Sequence, residues 1–306
     1  MSACRPGPVF SMPMSPRSLL GLLALALVCG APARAADTAA PAATRYRISV
    51  CDWMILKRQK LGAFPLARRI GVDGVEVDMG GLGDRPTFKS KLGDPAVCRE
   101  FVETAERDGL AISSVAMSGF YSQSFAERPG IERPVADAIA AAKALGAHVI
   151  FLPLGIRCDL VKHPELRPVL VARLRAAGRM AQAAGVVFAV ETSLDARHEA
   201  AFLDEIGSPA VKSCFDCANA WSNGRDACTE LRTLGRDRIA EIHCTDKDGE
   251  WLQNDPRADL RQIKVTLDAM GWSGWLVIER SRDARRPRDV VYNFSANAAY
   301  LKSIFR

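Results

Sequence analysis

The sequence is short of the features that mark several protein classes. Nine cysteines in 306 residues are too sparse for a small disulfide-stapled domain, and aromatic residues make up only 7%. The longest apolar run, residues 19–28, is about half the length of a bilayer-spanning helix. No Gly-x-Gly-x-x-Gly fingerprint follows the first strand-like segment, which removes the usual dinucleotide signature. Cys214-x-x-Cys217 has no second Cys-x-x-Cys to complete a structural zinc site. Histidines number only four, and no low-complexity tract occurs. What is present is an ordinary globular composition, 48% hydrophobic and 25% charged, which excludes disordered, collagenous and multi-span membrane classes.

The N-terminus reads as a Sec-type secretory signal. Arg5 and Arg17 precede the apolar run Leu19–Val28, and Ala33-x-Ala35 offers the small residues that signal peptidase needs. Residues 1–35 are therefore expected to be removed, giving a secreted or periplasmic protein with no membrane association after cleavage. A lipoprotein reading through Cys29 is weaker, because Val28 stands where a small side chain is needed. Cleavage takes Arg5, Arg17 and Arg34 and no acid, leaving 38 basic against 35 acidic residues. That near balance is no nucleic-acid footprint. Residues 36–45 are small and polar, a flexible lead-in, and residues 46–306 remain as one domain, close to the roughly 250 residues of a (β/α)8 barrel.

From Tyr46 onward, short β-branched runs alternate with longer segments of helical period, which implies a parallel α/β sheet. The pattern predicts eight strands: Arg47–Cys51, Gly74–Asp78, Ala111–Ala116, His148–Leu152, Val186–Glu191, Val211–Asp216, Ile239–His243 and Trp275–Glu279. Helical stretches are expected at Pro95–Asp108, Ile131–Leu145, Pro164–Ala184, Arg197–Ile206, Ala258–Met270 and Pro287–Leu301. Gly71, Gly109, Gly146, Gly185, Gly207 and Gly271 stand at helix-to-strand joints, where a left-handed residue stops a helix. Eight βα repeats in this length favour a closed TIM barrel over an open doubly wound sheet.

A barrel of this kind builds its site at the C-terminal ends of its strands, so the polar residue that closes each run is informative. Four late strands end in Glu191, Asp216, His243 and Glu279. Three carboxylates brought to one mouth repel one another unless a cation compensates. One nitrogen with three carboxylate oxygens suits Mn²⁺, Mg²⁺ or Co²⁺, with Zn²⁺ as an alternative.

Taken in order, the segments Gly185-Val-Val-Phe-Ala-Val-Glu-Thr-Ser-Leu194, Phe215-Asp-Cys-Ala-Asn219, Ile239-Ala-Glu-Ile-His-Cys-Thr-Asp246 and Gly271-Trp-Ser-Gly-Trp-Leu-Val-Ile-Glu279 resemble the sugar phosphate isomerase/epimerase superfamily. This is the xylose-isomerase-like barrel group that includes ketose 3-epimerases. Val50-Cys-Asp-Trp53, Gly71-Val-Asp-Gly-Val-Glu76 and Ile112-Ser-Ser-Val115 look like its opening strands, so the likeness covers nearly all of residues 46–306. The resemblance implies that Glu191, Asp216, His243 and Glu279 hold the metal and that Glu191 and Glu279 double as the acid/base pair. Two departures bear on the substrate: Asn219 replaces a histidine often found three residues after the aspartate, and His243-Cys-Thr-Asp246 lacks the lysine usual at the third position.

A metal chelating a hydroxyl and an adjacent carbonyl acidifies the C–H between them, and two carboxylates can then remove and return a proton. The expected activity is epimerisation or isomerisation of a keto-sugar through an enediolate, with β-elimination or hydration of a keto-glycoside as the rival outcome. Glu76, Trp53, Asn219 and Arg280 are candidate substrate contacts, each with a structural alternative: a barrel-mouth carboxylate for Glu76 and simple packing for Trp53. His148, His163 and His198 read as structural or solvated. The seven cysteines left after cleavage read as packing residues, with a Cys217–Cys244 disulfide the minor alternative. An abasic-site endonuclease on the same barrel needs more histidines and a basic face, and a non-catalytic sugar-binding module does not need the four-ligand cluster. The partner is a small sugar; a homo-oligomer is left open.

Overall fold

Along the strands, side chains alternate between the helices outside and the barrel axis inside, and this period of two governs the whole architecture. The structure, a computed structural model, describes residues 45–306. The expected signal peptide and all but the last residue of the lead-in lie outside the described residues. Eight parallel strands close into a barrel in the order of the sequence: β1 (Tyr46–Cys51), β2 (Gly74–Asp78), β3 (Ala111–Ala116), β4 (Val149–Pro153), β5 (Val187–Glu191), β6 (Val211–Asp216), β7 (Ile239–His243) and β8 (Gly274–Ile278). The ring is shut by β1 pairing with β8, from Tyr46 opposite Gly274 to Val50 opposite Ile278.

Outside the ring run α1 (Ala63–Ile70), α2 (Pro95–Arg107), α3 (Glu132–Ala144), α4 (Arg167–Ala184), α5 (Ala196–Ile206), α6 (Cys217–Ser222), α7 (Ala227–Leu234), α8 (Leu260–Met270) and α9 (Val290–Phe305). No helix among the described residues is long and apolar enough to cross a membrane. Aspartates start many of these helices. Asp94, Asp195, Asp226 and Asp259 each accept a backbone N–H from the first turn with their side chains, satisfying donors that have no partner within the helix. The six glycines expected as stops all hold positive φ; Gly185, which ends α4 at φ 74°, gives the chain its turn into β5.

The differences from expectation are at edges. The segment Pro164–Leu166 is a 3-10 turn, and α4 starts only at Arg167, where Pro168 fits the first helical turn. Glu279 stands one residue beyond β8 rather than closing it. The short α1, α6 and α7 were not anticipated; α6 starts directly from Asp216, which caps it.

Outward-facing Val50, Val75, Val77, Ile150, Phe188, Val190, Ile242 and Leu276 pack with the inner faces of the helices into one large core. A second, smaller cluster fills part of the barrel axis: Ala116, Val149, Phe151, Ala189 and Cys214. Between the ring and α5 lies a buried carboxyl, Glu199, whose surroundings include Thr192, Ser213 and, further off, Glu230 and Arg225. Burial pushes its pKa up to about 8, although the hydroxyls of Ser213 and Thr192 partly offset this.

Because the unfolded chain ionises near the ordinary value of 4.5 and the folded chain only near 8, Glu199 costs stability progressively as pH rises across that interval. Glu199→Gln is therefore expected to melt above the wild type at pH 8.5, with the difference vanishing near pH 4. A gain of about 1 kcal/mol corresponds to roughly 2–4 °C in a domain of this size. Thermal melts of both proteins across that range check it; a pH-independent difference would contradict the raised pKa.

Candidate active site

The inner face of the late strands carries polar groups to the barrel mouth. Strand β5 turns Glu191 inward, β6 turns Asp216, β7 turns His243, and Glu279 follows β8. An irregularity at Ser213/Cys214 sets the last two strand ends in register: Ser213 faces Ile239, but Cys214 faces Glu241, so Asp216 comes opposite His243. Glu191 and Glu279 are nearly buried and His243 wholly so, while Asp216 is partly open.

A residue outside that reading joins the carboxylates. The hydroxyl of Tyr121, in the turn after β3, lies 3.3 Å from Glu191 Oε2 and 3.1 Å from Glu279 Oε1. Asn219, on α6, donates its side-chain N–H to Glu191 Oε1 at 3.1 Å. His243 Nδ1 faces Glu279 Oε2 at 3.7 Å, and the imidazole lies against Phe151 with ring centroids 4.6 Å apart. Tyr121, Glu191, Asp216, Asn219 and Glu279 open onto a cleft of about 400 Å³ that also includes Arg280, Lys162 and Lys247.

The electrostatics divide the acids. Burial and the charge of Glu279 raise the pKa of Glu191, and burial with Glu191 and Glu279 raises that of Asp216 well above the usual range. Burial also works against ionisation of Glu279, but the charge of His243, whose Nδ1 is 3.7 Å away, together with Arg280 and the Tyr121 hydrogen bond, outweighs it and holds Glu279 low. For His243, burial opposes the charged form, yet Cys214, Glu279 and Glu76 raise its pKa well above the ordinary value. Burial and the two glutamates keep Tyr121 protonated, so its hydroxyl is a donor.

Among the described residues, no lysine or arginine forms an ion pair with Glu191, Asp216 or Glu279, and neither ring nitrogen of His243 has a hydrogen-bond partner. Three carboxyls and an unpartnered imidazole demand positive charge, and such a donor set fits a divalent cation. The set that closes most tightly is a different one, however. Ligand atoms of Cys214, Glu241 and His243 all lie within 4.8 Å of one another, which the four expected residues do not match. The Tyr121 hydroxyl stands between Glu191 and Glu279.

The other expected contacts fall in different places. Asn219 and Arg280 line the cleft. Trp53 packs on the apolar cluster inside the barrel, as does Tyr121. Glu76 is fully buried below the mouth, because Asp78 and not Glu76 closes β2; it accepts a hydrogen bond from the Cys51 thiol at 3.1 Å and touches no part of the cleft. His148, His163 and His198 are exposed, the last two beside Glu165 and Asp195. The cysteines of the described residues are buried free thiols, with Cys217 and Cys244 in mutual contact. Two site residues were missed. Glu241 had a signal, since it lies two positions before His243 and so on the same strand face. Tyr121 had none, because it belongs to a turn rather than a strand end.

Comparison with known proteins identifies the fold and the family. A 2-epi-5-epi-valiolone 7-phosphate 2-epimerase from Actinoplanes sp. is 29% identical over 199 residues, 63% of this chain and 71% of that protein. A sugar phosphate isomerase/epimerase from Parabacteroides distasonis superposes with a TM-score of 0.66 at 16% identity, covering 87% of this chain and 96% of that one. D-psicose 3-epimerase from Clostridium cellulolyticum gives 0.68 at 16% identity, over 85% and 99% of the two chains. A 3-keto-D-glucoside 4-epimerase from E. coli gives 0.65 at 16%, over 84% and 99%. At such identities the structural likeness is one of fold. The sequence pattern of one family, described as xylose isomerase-like TIM barrel, matches residues 64–304, and the chain belongs to that family.

Proposed function

We propose that the protein is a metal-dependent carbohydrate epimerase or isomerase acting on a keto-sugar or keto-glycoside. The observation that carries this reading is the meeting of Glu191 and Glu279 on one tyrosine hydroxyl beside His243, at the mouth of a cleft of sugar size. The sequence relative from Actinoplanes, itself an epimerase, supports the same reaction class. A divalent ion held by Glu191, Asp216, His243 and Glu279, as Mn²⁺, Mg²⁺ or Co²⁺ or alternatively Zn²⁺, would polarise the substrate carbonyl and stabilise the enediolate.

The rest of the work falls to the chain. One of the two glutamates takes the proton from the carbon beside the carbonyl and the other returns one, which inverts that carbon. Return to the neighbouring carbon gives aldose–ketose isomerisation instead, and loss of a β-substituent gives elimination. Asn219 holds Glu191 in place, and Tyr121 donates its hydroxyl hydrogen between the carboxylates. Glu191→Gln and Glu279→Gln are each expected to lower solvent-deuterium incorporation into a ketose by about a hundredfold or more, the range of a general acid/base contribution. A folded, metal-loaded variant exchanging at the wild-type rate would rule out the two-carboxylate mechanism.

We infer a neutral substrate held by hydrogen bonds, because most of the basic segment after β8 is already paired or stacked. In the basic segment after β8, Arg285 pairs with Asp283, Arg282 pairs with Asp248, and Arg286 stacks on Tyr292. Arg280 lies in the cleft without an ion pair among the described residues, where its guanidinium can fork onto vicinal hydroxyls. Free ketoses or keto-glycosides are expected to give higher kcat/KM than their phosphates, with Arg280→Ala raising KM. A preference for phosphates that Arg280→Ala abolishes would reverse the assignment.

Export, expected from the N-terminal sequence, favours the same unphosphorylated substrate, since phosphorylated sugars are mainly intracellular metabolites. We infer that residues 1–35 direct the chain out of the cytoplasm and are removed. N-terminal sequencing of protein from a bacterial periplasmic fraction is expected to begin at Ala36; an intact N-terminus there would count against it.

A further inference from the structure

Below the mouth, inside the barrel, lie polar groups to which the reading above gives no task. Glu76 and Glu241 are wholly buried, and among the described residues neither forms an ion pair with lysine or arginine. Glu76 Oε1 and both oxygens of Glu241 lack hydrogen-bond partners, and so do Nδ1 and Nε2 of His243. An unpartnered buried carboxyl is costly, so its presence in the core needs a use.

The partner within reach is the imidazole. His243 Nε2 stands 3.7 Å from Glu76 Oε2, and Nδ1 stands 3.7 Å from Glu279 Oε2. Phe151 lies against the ring and limits its rotation. One nitrogen thus faces down the barrel to a buried carboxyl and the other faces the mouth. A neutral imidazole has one N–H and one lone pair, and only the nitrogen with the lone pair can bind a cation. Which nitrogen that is depends on the acceptor opposite the other. Glu241 is the alternative acceptor, but among the described residues it forms no ion pair with His243, whereas Glu76 does. Glu76 in turn is held by the Cys51 thiol, which donates to Oε2.

We propose that Glu76 is the positioning residue of His243: its carboxylate takes the Nε2–H, and the Nδ1 lone pair is left facing Glu279 and the mouth. The 3.7 Å separation closes to hydrogen-bond length by a small rotation of a side chain whose second oxygen is bound to nothing. Glu76 then acts on the site through His243 and not by touching a sugar. The proposal rests on His243 as a metal ligand, and its test separates the two ideas.

The metal-free protein is labelled with ¹⁵N-histidine, and the His243 ring nitrogens are followed by long-range ¹H–¹⁵N correlation at alkaline pH, with His243→Ala supplying the assignment. The wild type is expected to carry its hydrogen on Nε2. The pH is raised until the ring is neutral, and a hydrogen on Nδ1 of that neutral ring overturns the proposal without recourse to any variant. Glu76→Gln, whose amide can donate as well as accept, is expected to mix the tautomers and to weaken Mn²⁺ binding, read as free Mn²⁺ by electron paramagnetic resonance, by about 10–100-fold. Glu241→Gln should leave the tautomer as it is. Unchanged tautomer and affinity in Glu76→Gln, or the loss appearing in Glu241→Gln instead, also overturns it. If the wild type binds no Mn²⁺, the ligand reading fails, and the tautomer of the metal-free ring still decides the role of Glu76.

Discussion

The arrangement depends on one electrostatic constraint: acids brought to the same end of a closed barrel must find positive charge or protons there. Glu191, Asp216 and Glu279 meet at the mouth, Glu76 and Glu241 lie beneath it, and among the described residues no lysine or arginine pairs with any of them. His243 stands between the two groups and faces a carboxylate at each ring nitrogen. In a medium of low dielectric such a ring is worth far more than at the surface, and its removal would leave buried carboxyls uncompensated. Tyr121 contributes in a different way, by giving Glu191 and Glu279 a shared donor.

Backbone geometry delivers these charges. The barrel closes because β1 pairs with β8, and the closure fixes which residues share a layer across strands that are distant in sequence. The register shift at Ser213/Cys214 passes over Ala240 and places Asp216 beside His243. Asp216 then serves twice, since it also caps α6, the helix that carries Asn219 toward Glu191. One short helix thereby ties the end of β6 to the end of β5.

The two layers divide the chemistry. The upper layer opens to the cleft and includes Asn219, Arg280, Tyr121 and the two proposed proton-transfer glutamates. The lower layer is closed to solvent: Glu76, Glu241 and Cys214 lie around the imidazole, and the Cys51 thiol donates to Glu76. A site built this way orients its histidine from behind, which leaves the front free for substrate and cation.

Much of this was legible in the sequence because its causes are local. The period of two within each strand, the glycines at positive φ and the aspartates that cap helices are properties of short segments, and they suffice to count eight strands and to find Glu191, Asp216, His243 and Glu279 at or just past strand ends. The strand count with the chain length also pointed to a closed ring. What the tertiary structure alone decided is how residues of different strands stack along the barrel axis, since stagger and register are set by closure and not by any one segment. That is why Glu76, two residues short of the end of β2, lies under the mouth and not in it, and why Trp53 packs on the inner apolar cluster. It is also why the tightest ligand set includes Cys214 and Glu241: they come opposite each other only through the irregularity between β6 and β7, a contact that neither strand specifies by itself.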